Sequence, residues 1–282
     1  MRLSHSSKSV FLECGYKWFV HYMLKIRASD ESSPLAFGSS VDHGLNTLLE
    51  TRDLNQALIQ FRASWLKHRD EQNIKYSKSD LQEELIKDLE PRNEKDKSWL
   101  SLQEKGKILI TEYNEQVMPN IEEVIKVQLD QVVPNEHGDE LTIKTDFIAK
   151  WKPNGQRILF DNKTTSVTYD ANSVRDSEQL GTYFELLKDE YKLDAAGFIV
   201  LPKKINKRKK PAIEIKVIIG TVSEETISKT FKEYEYVLDS VKDGRFEKNW
   251  DSCVSKYGKC QYYNYCREKS MVGLVEKKDH SR

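Results

Sequence analysis

The stretch LTIKTDFIAKWKPNGQRILFDNK, residues 141–163, decides the fold. From Leu141 to Trp151 apolar and polar residues alternate with the period of a half-buried strand. Pro153-Asn154-Gly155 reads as a turn, and Arg157 to Lys163 as the returning strand. Working outward, Asn135-Glu-His-Gly138 is a second turn, preceded by alternation from Val124 to Val133, so three antiparallel strands form a meander. Downstream, a helix is predicted from about Asp176 to Tyr191. Ala195 to Leu201 is a continuous apolar strand and Pro211 to Gly220 another. Ser223, with Glu225 close behind, caps a long helix through about Asp243. Upstream, the first 120 residues read as helical. Hydroxyl caps at Ser4 to Ser9 precede a helix carrying Val10, Phe11, Cys14, Trp18 and Tyr22. A second helix starts near Pro34–Gly38 and carries Val41, Leu45, Leu48 and Leu49. A third carries Ala57, Leu58, Phe61, Trp65 and Leu66. Residues 70–98 are dense in charge with a break at Pro91, and Trp99 to Val117 is an amphipathic helix ended by Pro119. The order predicts an α/β sheet flanked by helices, with a helical N-terminal extension.

The chain has 282 residues, with 45 Lys+Arg against 45 Asp+Glu, and is 38% hydrophobic and 32% charged. This is a globular composition, too apolar for a disordered tail and too charged for a membrane protein. Zero net charge excludes coating of DNA by bulk charge and leaves local patches open. No targeting segment and no apolar run of membrane-spanning length is visible, so a cytoplasmic protein in a reducing compartment is expected. There is no G-x-G-x-x-G after a strand, no Walker A loop and no G-x-S-x-G elbow. His5, His21, His68, His137 and His280 show no metal-ligand spacing.

The chemistry concentrates in the meander. Asp146 sits mid-strand, and Asp161 and Lys163 end the next strand, two residues apart and so on one face. Two carboxylates on neighbouring strands can hold a divalent cation through hard oxygen ligands. Such an ion polarises a phosphate oxygen and lowers the pKa of bound water. A lysine beside it orients that water and stabilises the charge developing on phosphate. The bland alternative is a surface Asp and Lys at a strand end. Asp146 with Asp161-Asn162-Lys163 resembles the PD-(D/E)xK nuclease superfamily. Two further elements are similar to its RecB-like and Cas4-like exonuclease branch. Gly38-Ser-Ser-Val-Asp-His43-Gly44 is similar to the G-x-x-x-H element whose histidine completes the metal site. Gln179-Leu-Gly-Thr-Tyr183 matches Q-x-x-x-Y, with both side chains on one helix face. The branch often has a glycine three residues before the first acid, where Ile143 stands here. Glu122 and Glu123 are further acids that could lie near the metals.

Cys14 lies near the start of the chain, and Cys253, Cys260 and Cys266 near its end, with no cysteine between. One distant and three clustered thiolates would join the two ends around a soft metal centre. The arrangement resembles Cas4-like and AddB-like nucleases, which implies a [4Fe–4S] cluster stapling the domain. The interval from Cys260 to Cys266 fits the C-x2-C-x5-C pattern there, and that from Cys253 to Cys260 is longer. Tyr257, Tyr262, Tyr263 and Tyr265 could shield a cluster. Structural Zn²⁺ suits four thiolates equally well, and unligated buried cysteines are the third reading.

Lys203-Lys204-Ile-Asn-Lys207-Arg208-Lys209-Lys210 is a basic run between two strands, by default a solvated loop. Beside a nuclease site it becomes a phosphate-binding arm.

The resemblance implies one domain over 1–270: a helical portion to 120, a restriction-endonuclease-like mixed sheet over 121–222, and a helix with a cysteine-rich loop to 270. Residues 271–282 are expected as a flexible tail. His43, Asp146, Asp161 and the Asn162 carbonyl would bind Mg²⁺ or Mn²⁺, Lys163 would activate water, and Gln179 and Tyr183 would engage DNA. The implied activity is exonucleolytic hydrolysis of single-stranded DNA or free ends, in recombination, repair, phage DNA metabolism or CRISPR adaptation. Any helicase or recombination protein would be a separate chain, and no membrane is involved. The rivals are a non-catalytic DNA-binding module of this fold and a zinc-stabilised interaction protein.

Overall fold

The computed structural model describes residues 1–71, 73–134, 138–255 and 258–277. Asn135 to His137 of the turn predicted at 135–138, Tyr257 and His280 lie outside them. In chain order the elements are β1 (Arg2–Ser4), α1 (His5–Glu13), α2 (Gly15–Trp18), β2 (Ile26–Ala28), β3 (Asp30–Ser32), α3 (Ser33–Thr51), α4 (Leu54–Glu71), β4 (Asn73–Lys75), α5 (Glu94–Gln116), β5 (Ile121–Pro134), β6 (Glu140–Trp151), β7 (Arg157–Thr165), α6 (Ala171–Arg175), α7 (Glu178–Tyr191), β8 (Ala195–Pro202), β9 (Lys216–Gly220), α8 (Glu224–Lys242), β10 (Val254–Ser255), β11 (Gly258–Lys259), α9 (Tyr263–Glu268) and β12 (Leu274–Glu276). The chain divides into two compact units, one of residues 31–130 and 144–227, the other of 1–30, 131–143 and 228–282.

The first unit carries the mixed sheet. β6 is antiparallel to β7, β7 parallel to β8, and β8 antiparallel to β9. β5 pairs with β6, as the meander requires. The parallel β7–β8 step needs a crossover, which α6 and α7 supply. β8 is buried along nearly its whole length, as expected for a strand covered on both faces. The strand predicted at 211–220 begins only at Lys216, and the helix predicted from about Asp176 to Tyr191 is α7, preceded by the short, unpredicted α6.

Helices α3, α4 and α5 pack unusually closely at two glycines. A Cβ on Gly106 of α5 would lie 2.0 Å from the Phe61 ring of α4, and one on Gly44 of α3 would lie 2.5 Å from Ile110 of α5. Only glycine lets these helix backbones approach so near. The core that results holds Val41, Leu45, Leu48, Phe61, Trp65 and Tyr113 with inward residues of the sheet such as Phe147 and Phe160.

In the second unit, Ser4 caps α1 through a reciprocal hydroxyl–amide capping box with Ser7. The single helix predicted through Tyr22 is interrupted. Cys14 is extended (φ −167°, ψ 112°), α2 follows, and Phe19–Met23 forms a π-helical turn. β1 pairs in parallel with the first residues of β6, Glu140 to Thr142. The tail expected to fray is partly ordered: β12 pairs with β2, and Leu274 is buried against Val20, Ile26 and Tyr262.

Candidate active site

The site is built where two strands part. The β6–β7 ladder runs from Lys150↔Arg157 to Phe147↔Phe160, while β7 stays paired with β8 through Thr165. Asp146 and Asp161 are the residues just beyond the last β6–β7 pair. The backbone N–H of Asn162 instead donates to Asp146 Oδ2 at 2.6 Å, so the first carboxylate is held by the amide that the parting leaves behind. Asp161, 5% exposed, lies 2.6 Å from Lys163 Nζ. The same ammonium donates to Gln179 Oε1 at 3.1 Å. Gln179 is in turn hydrogen-bonded to the Tyr183 side chain, one turn further along α7. Sequence reasoning thus placed five residues that the structure does bring together.

It missed a sixth. Asp42, on α3, interacts electrostatically with Asp161, Asp146 and Lys163. Burial and then the Asp161 charge push its carboxyl up to about 7, against an opposing pull from Lys163. Burial, Asp161 and Asp42 raise Asp146 well above the ordinary carboxylate range. Burial raises Asp161, with Lys163 opposing. Burial works against the charged form of Lys163, but Asp161 and Asp146 outweigh it and hold the ammonium protonated.

His43, assigned to the metal by sequence, is exposed on α3. Neighbouring positions on a helix point about 100° apart, so His43 and Asp42 cannot both face the acids. Counted from Gly38, the fourth residue on is Asp42, which was the available signal. Glu122 is ion-paired with Lys150 at 2.7 Å, and both Glu122 and Glu123 are exposed. Tyr183 is buried at 5% exposure and hydrogen-bonded to Gln179.

The residues present fit a divalent cation. Three carboxyl groups interact electrostatically with one another and with a single lysine, an excess of negative charge that burial makes costly. Tyr113, fully buried and electrostatically coupled to Asp146 and Asp42, has a hydroxyl without a hydrogen-bond partner among the described residues. No three His, Cys, Asp or Glu side chains form a ready ligand set among the described residues, so the fit rests on charge and donor type.

The basic loop divides. Lys203, half-buried, anchors by its amide to the Thr165 carbonyl at 3.1 Å, and Lys204 is exposed beside it. Arg208 pairs with Glu84 at 3.3 Å and Lys207 Nζ reaches the Leu85 carbonyl at 3.3 Å. Lys207, Lys209 and Lys210 line a separate groove with Lys107.

In the other unit all four cysteines are free thiols. Burial raises the Cys266 thiol, and Cys260, Cys14 and Cys253 raise it further while Lys248 opposes. The other three are therefore within electrostatic reach of Cys266. Cys14 lies in the extended break after α1, not within a helix, and its Sγ accepts from the Asn249 amide at 3.4 Å. Tyr262, between Cys260 and Cys266, is fully buried, donating to the Ile26 carbonyl at 2.9 Å and bonded to His21 Nδ1 at 2.7 Å. Four thiols from both chain ends in one unit fit a soft metal by donor type.

The sequence matches no curated protein. Among solved structures, the chain is similar to a "Putative exonuclease" from Eubacterium rectale, with TM-score 0.53 and 14% identity over 99% of this chain and 91% of that one. At that identity the likeness shows the fold alone. A second structure, named SSO0001, gives TM-score 0.30 and 11% identity over 75% and 77% of the two chains, and carries no argument. The family model that matches residues 2–267 is that of the PD-(D/E)XK nuclease superfamily. With the acid, acid and lysine gathered where β6 and β7 part, and with that match spanning nearly the whole sequence, the chain belongs to the PD-(D/E)XK nuclease superfamily.

Proposed function

We propose that this nuclease is a metal-dependent DNA exonuclease acting on single strands or free ends. The observation that supports it best is the electrostatic interaction of three carboxyl groups and one lysine, Asp42, Asp146 and Asp161 with Lys163. Asp42, Asp146, Asp161 and the Asn162 carbonyl would hold Mg²⁺ or Mn²⁺, the part first given to His43 passing to Asp42. The ion, when bound, supplies charge neutralisation at the phosphate and an acidified water. Lys163 keeps one N–H beyond those given to Asp161 and Gln179. That donor faces the reacting phosphate, orients the attacking water and stabilises the equatorial oxygens as charge develops. Gln179, held by Tyr183, fixes the ammonium.

The four cysteines would hold a [4Fe–4S] cluster, with structural Zn²⁺ as the rival. Either would close a loop from Cys14 to the end of the chain. Lys203, Lys204 and the rest of the 203–210 loop would add phosphate contacts.

The test is digestion of labelled single- and double-stranded DNA with Mn²⁺, read for polarity. Lys163→Ala should bind end-labelled DNA and fail to cut it. If wild type and variant behave alike, the catalytic reading is wrong and a binding module remains. Colourless, zinc-loaded protein from anaerobic purification, inert on DNA, would favour the interaction-protein reading.

A further inference from the structure

A cleft of about 620 Å³ opens beside the end of β7. Its walls come from three separate parts of the chain: Ser79 and Gln82 after β4, Lys105 on α5, and Ser166 with Lys203 and Lys204 beyond β7 and β8. Two of these lysines are not solvated arms. Lys105 is 4% exposed, and its ammonium donates to the Ser79 carbonyl at 3.3 Å and the Asp80 carbonyl at 3.0 Å. Lys105 and Lys203 both line the cleft; burial lowers both, and Lys203 lowers Lys105 further. Asp80 is the carboxylate that offsets them. It is already engaged by the Ser33 hydroxyl at 2.5 Å and the Ser77 amide at 2.6 Å. Glu84, on the rim, is paired with Arg208. The cleft therefore carries surplus positive charge on partly desolvated donors, and a bound anion would relieve the repulsion.

Its position relative to the acids follows from strand register. Lys163 is paired with Val200 and Thr165 with Pro202, and Lys203 is the next residue, tied to Thr165. Lys203 is thus three residues past the partner of Lys163, a backbone separation of about 10 Å at ~3.3 Å per residue. A second cavity adjoins the cleft. It shares Ser166, Lys203 and Lys204 with the first and runs to Tyr169, which packs on Phe198 and interacts electrostatically with Lys163. About 10 Å is some three nucleotides of a stacked strand at ~3.4 Å rise.

We propose that the Lys105–Lys203 cleft is a second phosphate site, which grips one phosphate of the DNA strand within about three nucleotides of the bond being cut. The proposal rests on the nuclease reading and adds a substrate-phasing element to it. The phosphate is either an internal diester or the terminal monoester of a DNA end.

The test uses the full-length protein in EDTA, so that binding is measured without cleavage. The probes are single-stranded oligonucleotides carrying one neutral methylphosphonate at successive positions, with 5′-phosphate and 5′-hydroxyl versions of each. At one position, loss of charge should weaken binding to the wild type about tenfold, the worth of a charge-assisted hydrogen bond. Lys203→Ala should lose that position's effect and keep the others. Sensitivity confined to the 5′-phosphate identifies the terminal source, and an internal position identifies the diester. Lys105→Met should give the same pattern; because its ammonium also ties two carbonyls, Lys203→Ala with an unchanged melting temperature is the deciding variant. An interference profile that is the same with and without Lys203 overturns the cleft as a phosphate site, even if the wild type cuts DNA with Mn²⁺. Wild type that neither cuts nor binds DNA overturns the function beneath it.

Discussion

Lys163 spends two of its three ammonium hydrogens on Asp161 and Gln179, so its geometry is set before any phosphate arrives. Removing it should cost cleavage about 10²–10³-fold or more, as for other preorganised charge-stabilising donors, while metal-free DNA affinity changes little. Asp42 and His43 make a sharper pair. Asp42→Asn should reduce Mn²⁺-dependent cleavage at least ~10²-fold by the same reasoning, and His43→Ala should stay near wild type. Steady-state rates on one labelled substrate decide between them. Asp42 also predicts a pH dependence. Its folded carboxyl titrates near 7, above its ordinary value, so between about pH 4 and pH 7 the folded metal-free protein binds more protons than the unfolded chain. This contribution to stability is complete at the acid end and is lost as pH rises through 7. The melting temperature of wild type minus that of Asp42→Asn should therefore fall over this window, and added Mn²⁺ should reverse the fall. Asp146, Asp161 and Lys163 were legible because a strand period and a Pro-Asn-Gly turn place them. Asp42 was not, because the neighbouring histidine is the commoner metal-ligand type, although the spacing from Gly38 falls on Asp42.

At the scale of elements, the contact of α3, α4 and α5 through Gly44 and Gly106 sets where Asp42 stands. Gly106→Ala puts a methyl group into the Phe61 ring, and overpacking of this kind costs about 1–3 kcal/mol. The expected readout is a lower melting temperature together with weaker Mn²⁺ activation. The β6–β7 hairpin acts as a pair of equal arms. Trp151 and Gln156 close it, with the Trp151 amide on the Gln156 carbonyl at 2.8 Å, and each aspartate lies five residues from that closure (146 to 151, 156 to 161). An extra glycine in the turn at Asn154–Gly155 should leave cleavage intact. The same glycine after Ile148 should abolish it, because a one-residue shift turns Asp146 to the other face. Long elements with a clear period were read correctly within a few residues. The three-residue strands β1, β2 and β12 were not, since so short a run has no period. Nor was the break at Cys14, where apolar spacing continues across an extended residue.

For the whole molecule, the division of labour is between a unit holding the acids and a unit holding the thiols. Cys266→Ser should lose bound metal, measured by elemental analysis and visible absorption, and should melt at lower temperature than wild type. Unchanged metal content would remove the four-thiol site. The thiol-bearing unit is made of three stretches, 1–30, 131–143 and 228–282, and this has a consequence for biosynthesis. Cys14 is translated well before Cys253, Cys260 and Cys266, with the acid-bearing unit between them. At about 5–20 residues per second, the first thiol waits roughly 10–50 s for its companions. The acid-bearing unit is translated in full before the second of the four cysteines exists. Any metal held by all four thiols could thus be captured only after Cys266 is made, later than the whole of the acid-bearing unit.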